Sequence, residues 1–66
     1  MNVIINGEKK EIFKEVNLNE LLKLLSLPSE RIAIELNREV VRKKDWETIQ
    51  VSDGDKLEVI HFVGGG

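Results

Sequence analysis

The chain has no cysteine among its 66 residues. That absence excludes a disulfide framework, a thiolate zinc site and a thiol nucleophile supplied by the protein itself, and it suits a reducing, cytosolic setting. Histidine is almost as scarce. His61 stands alone, with neither a cysteine nor a second histidine to complete a metal site or a nucleophile–base pair, and it reads as an ordinary strand residue near a partner surface. A phosphate-cradling glycine loop is missing too, because Gly7 and Gly54 are isolated turn residues. Apolar runs fall far short of the roughly 20 residues of a membrane span. The opening Met1-Asn2-Val3-Ile4-Ile5 lacks the basic region and long apolar run of a leader, so the expectation is a soluble, cytoplasmic chain with no membrane contact. No charge sign dominates either: the net charge is −2 with 33% charged residues. The one basic cluster, Arg42-Lys43-Lys44, is closed off by Asp45 and Glu47, which leaves nucleic acid little to bind.

What is present is enough for one small domain. Hydrophobic residues make up 41% of the chain, and a domain of this size buries about 60% of the surface its unfolded chain exposes. Met1, Val3 and Ile5 alternate with Asn2, Ile4 and Asn6, the period of a half-buried strand. Asn6-Gly7 is a hairpin signal, since both central residues of the tight turn need positive φ. A return strand is expected through Glu8 to Phe13, with Ile12 or Phe13 reaching the core and Lys9, Lys10, Glu11 and Lys14 facing solvent on an edge. The period then changes. Leu18, Leu21, Leu22 and Leu25 recur on one helical face, with Asn17 as N-cap and Glu20 completing a capping box. Leu27-Pro28 ends the helix.

Ile32, Ile34 and Leu36 alternate as a third strand, and Asn37-Arg38-Glu39 turns the chain into a brief fragment at Val40-Val41. Trp46 is expected to anchor the polar stretch from Arg42 to Glu47, and Thr48 to Val51 to form a further short extended piece. In Ser52-Asp53-Gly54-Asp55 the acids are turn formers rather than a catalytic pair. Leu57 to Val63 is the most continuous apolar run, as a strand with neighbours on both sides requires. A hairpin, a helix and two or three further strands predict an α+β fold. It is the β-grasp (ubiquitin-like) arrangement, a mixed four- to five-stranded sheet with one main helix packed on one face and the last strand parallel to the first. Residues 1–63 form the domain and 64–66 a flexible glycine tail.

Two features carry chemistry. Gly64-Gly65-Gly66 leaves the last strand without a side chain, and its one distinctive group is the Gly66 carboxylate, on a stalk thin enough to enter a narrow active site. The second is the outer face of the sheet. If Val3, Ile5, Leu57 and Val59 point at the helix, then Ile4, Ile60 and Phe62 point away and form an apolar patch beside the root of the tail, at Val63. Clustered exposed apolar residues mark contact surfaces, so Ile4, Ile60, Phe62 and Val63 are the expected partner-binding residues. No catalytic, metal-binding or cofactor-binding residue is expected.

At this point the sequence resembles a known family. Asn37-Arg38-Glu39-Val40-Val41, Trp46, Asp53-Gly54-Asp55 followed by Leu57-Glu58, and Val63-Gly64-Gly65-Gly66 resemble ThiS, the ubiquitin-like sulfur carriers of thiamin thiazole biosynthesis. The first half agrees in strand, Asn6-Gly7 turn and leucine-rich helix, so the resemblance covers essentially the whole chain. Arg42 departs from it, standing where many members have proline. The resemblance implies a carrier, not an enzyme. An ATP-dependent, ThiF-like adenylating enzyme would activate the carboxylate of Gly66, a cysteine desulfurase or other persulfide source would convert it to a thiocarboxylate, and thiazole synthase (ThiG-like) would take the sulfur. Gly65 and Gly64 would give the tail access. ATP belongs to the adenylating partner, and no cofactor is bound. The alternatives are a molybdopterin-synthase small-subunit-like carrier, which also ends in diglycine, and a ubiquitin-like interaction module without terminal chemistry.

Overall fold

The computed structural model describes residues 1–28 and 30–62. The first strand, β1 (Asn2–Ile5), turns through Asn6 and Gly7, at φ 50° and 82°, into β2 (Glu8–Glu11). Two successive positive φ values match the right-handed twist of the flanking strands, which is why Asn-Gly is favoured here. The hairpin pairs Asn2 with Glu11 through to Ile5 with Glu8. All four side chains of β2 are charged and exposed, as suits an outer edge. The return strand is shorter than the alternation suggests, and the choice between its two apolar residues is resolved. Ile12 is buried, whereas Phe13 is 86% exposed.

Helix α1 (Leu18–Leu24) starts at the expected cap: the Glu20 amide donates to Asn17 Oδ1 at 2.8 Å, and the Asn17 amide donates to Glu20 Oε1 at 2.9 Å. It ends in a Schellman motif. The Ser26 amide donates to the Lys23 carbonyl at 3.1 Å and the Leu27 amide to the Leu22 carbonyl at 2.8 Å, while Ser26 takes φ 57°. Leu18, Leu21 and Leu22 are buried against the sheet.

After the helix come β3 (Ile32–Leu36), β4 (Glu39–Val41), a 3₁₀ turn at Lys43–Asp45 and β5 (Lys56–His61). Asn37 and Arg38, at φ 50° and 73°, make the tight turn between β3 and β4. Trp46 is buried and its indole Nε1 donates to the Val41 carbonyl at 3.1 Å, fixing the polar stretch to the end of β4. The extended piece expected at Thr48 to Val51 is only an isolated bridge between Asn17 and Gln50. Thr48 and Ile49 donate back to the Asp45 carbonyl, and only the Ile49 carbonyl and Val51 amide bond to the segment entering α1. The acidic turn acts structurally: Asp55 accepts from the Ser52 amide at 2.7 Å and from Asn37 Nδ2 at 3.1 Å, and Asp53 accepts from the Asn2 amide at 2.6 Å.

The strand order is β2-β1-β5-β3-β4, with β5 central, parallel to β1 and antiparallel to β3. This is the expected β-grasp sheet, five-stranded and mixed. Its inner face contributes Val3, Ile5, Ile32, Ile34 and Leu57 to a core closed by Val16, the helix leucines, Trp46 and Val51. Among the described residues, no helix is long and apolar enough to cross a membrane.

Candidate functional site

Gly64, Gly65, Gly66 and Val63 lie outside the described residues. What the structure shows is the strand that delivers them. Hydrogen-bond direction alternates along β5. Its even-numbered positions face β3, where the Phe62 amide donates to the Arg31 carbonyl at 2.7 Å and the Lys56 carbonyl accepts from the Asn37 amide at 2.8 Å. Its odd-numbered positions face β1, where the Asp55 and Leu57 carbonyls accept from the Ile4 and Asn6 amides, each at 2.9 Å. The strand is therefore held on both sides for most of its length, and the chain beyond Phe62 starts from a fixed point. Arg31 holds that point at φ 59°, a left-handed conformation uncommon for a residue with a Cβ.

The outer face of the sheet separates what the alternation seemed to unite. Ile60 (43% exposed) and Phe62 (53% exposed) share the outer face of β5 near its end. Ile60 lies across from Ala33. Ile4, however, pairs with Lys56, four residues earlier along β5 and so about 13 Å back at the rise of an extended strand. Ile4 is half-buried and does not join Ile60 and Phe62 in one contiguous patch. Period-two alternation assigns the face correctly, but position along the strand depends on register, which the alternation of a single strand leaves open.

Val40 is the outer-face residue the sequence reading missed. It is 71% exposed and lies opposite Glu35, which lies opposite Glu58. The signal was available, since an inward Val41 requires an outward Val40. Near the tail root the outer face thus carries Ile60, Phe62 and Ala33; further back, level with Glu58, it carries Val40 and the two acids Glu35 and Glu58, which face each other directly across strands. His61 points to the opposite face, paired across from Ile32, and is exposed at the end of the sheet.

No group of His, Cys, Asp or Glu among the described residues is placed to hold a metal ion. An open cleft of about 730 Å³ is lined by Met1, Ile12, Phe13, Gln50 and Asp53 among others. Because β5 runs parallel to β1, this cleft near the start of β1 lies at the end of the sheet opposite Phe62.

Known proteins match both the sequence and the fold. Residues 3–66 fit the model of the ThiS family. The chain belongs to the ThiS family. Its members include sulfur carriers of thiamin biosynthesis, and the match runs through the terminal glycines. The sulfur carrier protein ThiS of Bacillus subtilis is 30% identical over 63 residues, covering 94% of this chain and 96% of its own. The crystal structure of the thiamine biosynthesis protein ThiS from Geobacter metallireducens superimposes with a TM-score of 0.88 at 35% identity, covering 100% of both chains. A thiazole synthase from Paramagnetospirillum magneticum is 39% identical over 66 residues. There the match takes in all of this chain but only 20% of the length of the synthase, so in that protein a ThiS-like domain is part of a much longer polypeptide.

Proposed function

We propose that this ThiS-family chain carries sulfur as a thiocarboxylate on Gly66 and delivers it to a thiazole synthase. The observation that carries the reading is the family match through residue 66, on a chain whose central strand leads directly into Gly64-Gly65-Gly66.

The chemistry follows from the terminal group. A carboxylate is a poor acyl donor until one of its oxygens becomes part of a phosphate leaving group. A ThiF-like adenylating enzyme supplies that by joining the Gly66 carboxylate to the α-phosphate of ATP and releasing pyrophosphate. The terminal sulfur of a persulfide, formed by a cysteine desulfurase or another source, then attacks the acyl carbon and expels AMP, leaving an acyl disulfide. A second thiol of the sulfur-transfer partner attacks that disulfide and releases the thiocarboxylate, with the two thiols left oxidised as a disulfide. The carrier acts as a protein co-substrate. It binds no cofactor of its own, and ATP is consumed on the partner.

The described residues support a division of labour. The strand anchored by Asn6 and Arg31 fixes the root, Ile60 and Phe62 offer apolar contact beside it, and Gly65 and Gly64 contribute a stalk without Cβ atoms. The thiamin assignment is favoured over a molybdopterin role by the relatives, which include both ThiS carriers and thiazole synthases.

The test is reconstitution. Intact-mass measurement after incubation with ATP, the adenylating enzyme and a persulfide donor is expected to show a species heavier by one oxygen-to-sulfur exchange, absent when Gly66 is deleted. No such species, under conditions that charge the Bacillus subtilis carrier, contradicts the proposal.

A further inference from the structure

We propose that the end of β5 is a strand-addition site, where an extended segment of the thiazole synthase pairs with the main chain of His61 in line with β1. This deepens the carrier reading and rests on it.

β1 stops short of the end of β5. Parallel pairing between β1 and β5 covers only Ile4 with Lys56 and Ile5 with Leu57. Asn6 then turns away at φ 50°, and its side chain substitutes for the missing strand. Its Oδ1 accepts from the Val59 amide at 2.8 Å, and its Nδ2 donates to the Val59 carbonyl at 3.3 Å. One amide side chain thus supplies one further rung of the ladder. The next position with the same orientation is His61. By the alternation that sends the Phe62 amide to the Arg31 carbonyl, the His61 N–H and C=O point to the β1 side, beyond Asn6. Among the described residues neither has a hydrogen-bond partner there, and His61 is exposed.

The sequence treats its strand edges differently. Along β2, every exposed edge residue is charged, Glu8-Lys9-Lys10-Glu11, the usual protection against pairing with another chain. At His61 the flanking residues are the exposed Ile60 and Phe62. Unpaired main-chain groups beside apolar side chains are what strand addition uses: the main chain gives affinity, and alternate side chains give specificity.

The relatives argue for the occupant. In the Paramagnetospirillum magneticum and Magnetococcus marinus thiazole synthases the ThiS-like domain makes up 20% of the polypeptide. A domain held in the same chain meets the rest of the protein at an effective concentration on the order of millimolar, enough for a contact of one rung and an apolar rim. A shared recognition surface, kept where the two are separate chains, follows from that arrangement.

The experiment uses the full chain and purified thiazole synthase. Amide hydrogen exchange of the unaltered chain is expected to slow at His61 in the complex and to stay fast in the free carrier. A semisynthetic chain with an ester in place of the Ile60–His61 amide removes the outward N–H and also weakens the Ile60 carbonyl that faces β3, so its folded stability is measured beside its affinity. Its affinity is expected to fall about tenfold, the factor that 1.4 kcal/mol carries, while His61→Ala binds like the unaltered chain. Exchange at His61 that is equally fast in the complex overturns the proposal, whether or not the ester folds. So does a self-associated form of the chain that protects His61 by itself, which would make a second copy the occupant. If the synthase fails to bind the unaltered chain, the carrier reading fails with the slot; if it binds and His61 stays unprotected, the slot alone fails.

Discussion

Asn6 does two jobs that are usually given to different residues. It occupies the first left-handed position of the β1–β2 turn, and its side chain closes the ladder on Val59 across 53 positions of sequence. Asn6→Gly keeps the turn and deletes the rung; Asn6→Ala deletes the rung and also places a non-polar Cβ residue at positive φ. Loss of a hydrogen-bond partner for exposed main-chain groups costs about 1 kcal/mol, and a left-handed alanine adds about 1 kcal/mol more. Thermal unfolding is therefore expected to rank the proteins unaltered, then Asn6→Gly, then Asn6→Ala. Equal midpoints for all three would show that the side chain carries no stability. The turn role of Asn6 was legible in the Asn-Gly pair, whereas the rung was not, because it depends on β5 outrunning β1. The same limit applies to Ile4. Its facing was readable, but its separation from Ile60 is a matter of register between segments far apart in sequence. Phe13 and Ile12 show a simpler ambiguity, in which two adjacent apolar residues at a strand end compete for one core position.

The elements followed their sequence signals where those signals were local. The capping box of α1 and the Asp55 bond to the Ser52 amide are each closed within three residues, whereas Asp53 and Asn37 also reach the distant amides of Asn2 and Lys56. Thr48 to Val51 misled because it opens as a turn closed on Asp45 and then bonds to the entry of the helix rather than to the sheet, and that second partner lies outside any local pattern. The end of α1 shows a local choice that is not optimal. Ser26 sits at φ 57° in the position where the Schellman motif favours glycine. Ser26→Gly relieves the Cβ penalty and loses some of it again to the greater freedom of the unfolded chain. A net gain of about 0.5–1 kcal/mol is expected. Denaturant unfolding measures it, and a loss of stability would mean that the serine side chain makes a compensating contact.

At the scale of the whole molecule, the sheet order is the feature that connects fold to function. Placing the last strand in the centre, between β1 and β3, puts the terminal glycines after a strand paired on both sides over its first half. A tail rooted in an edge strand would move with every local opening of that edge. The clefts bordered by Phe13 lie at the far end of the sheet from Phe62. The two acids Glu35 and Glu58 lie opposite each other on the outer face of the sheet, which also carries Lys56 and Lys9. The architecture was readable from strand order and period, whereas the apolar run of β5 reflects an exposed outer face at Ile60 and Phe62 rather than cover on both faces. The charge opposition and the open main chain at His61 emerge only once the strands are in register.

The central claim is that Gly66 is where sulfur is carried. The most direct measurement is the intact mass of the C-terminal peptide from protein purified rapidly out of thiamin-starved cells of the source organism. The account predicts a fraction in which one carboxylate oxygen of Gly66 is replaced by sulfur, and loss of that fraction when the adenylating enzyme is deleted. Only unmodified Gly66 in cells that are actively making thiazole would contradict it.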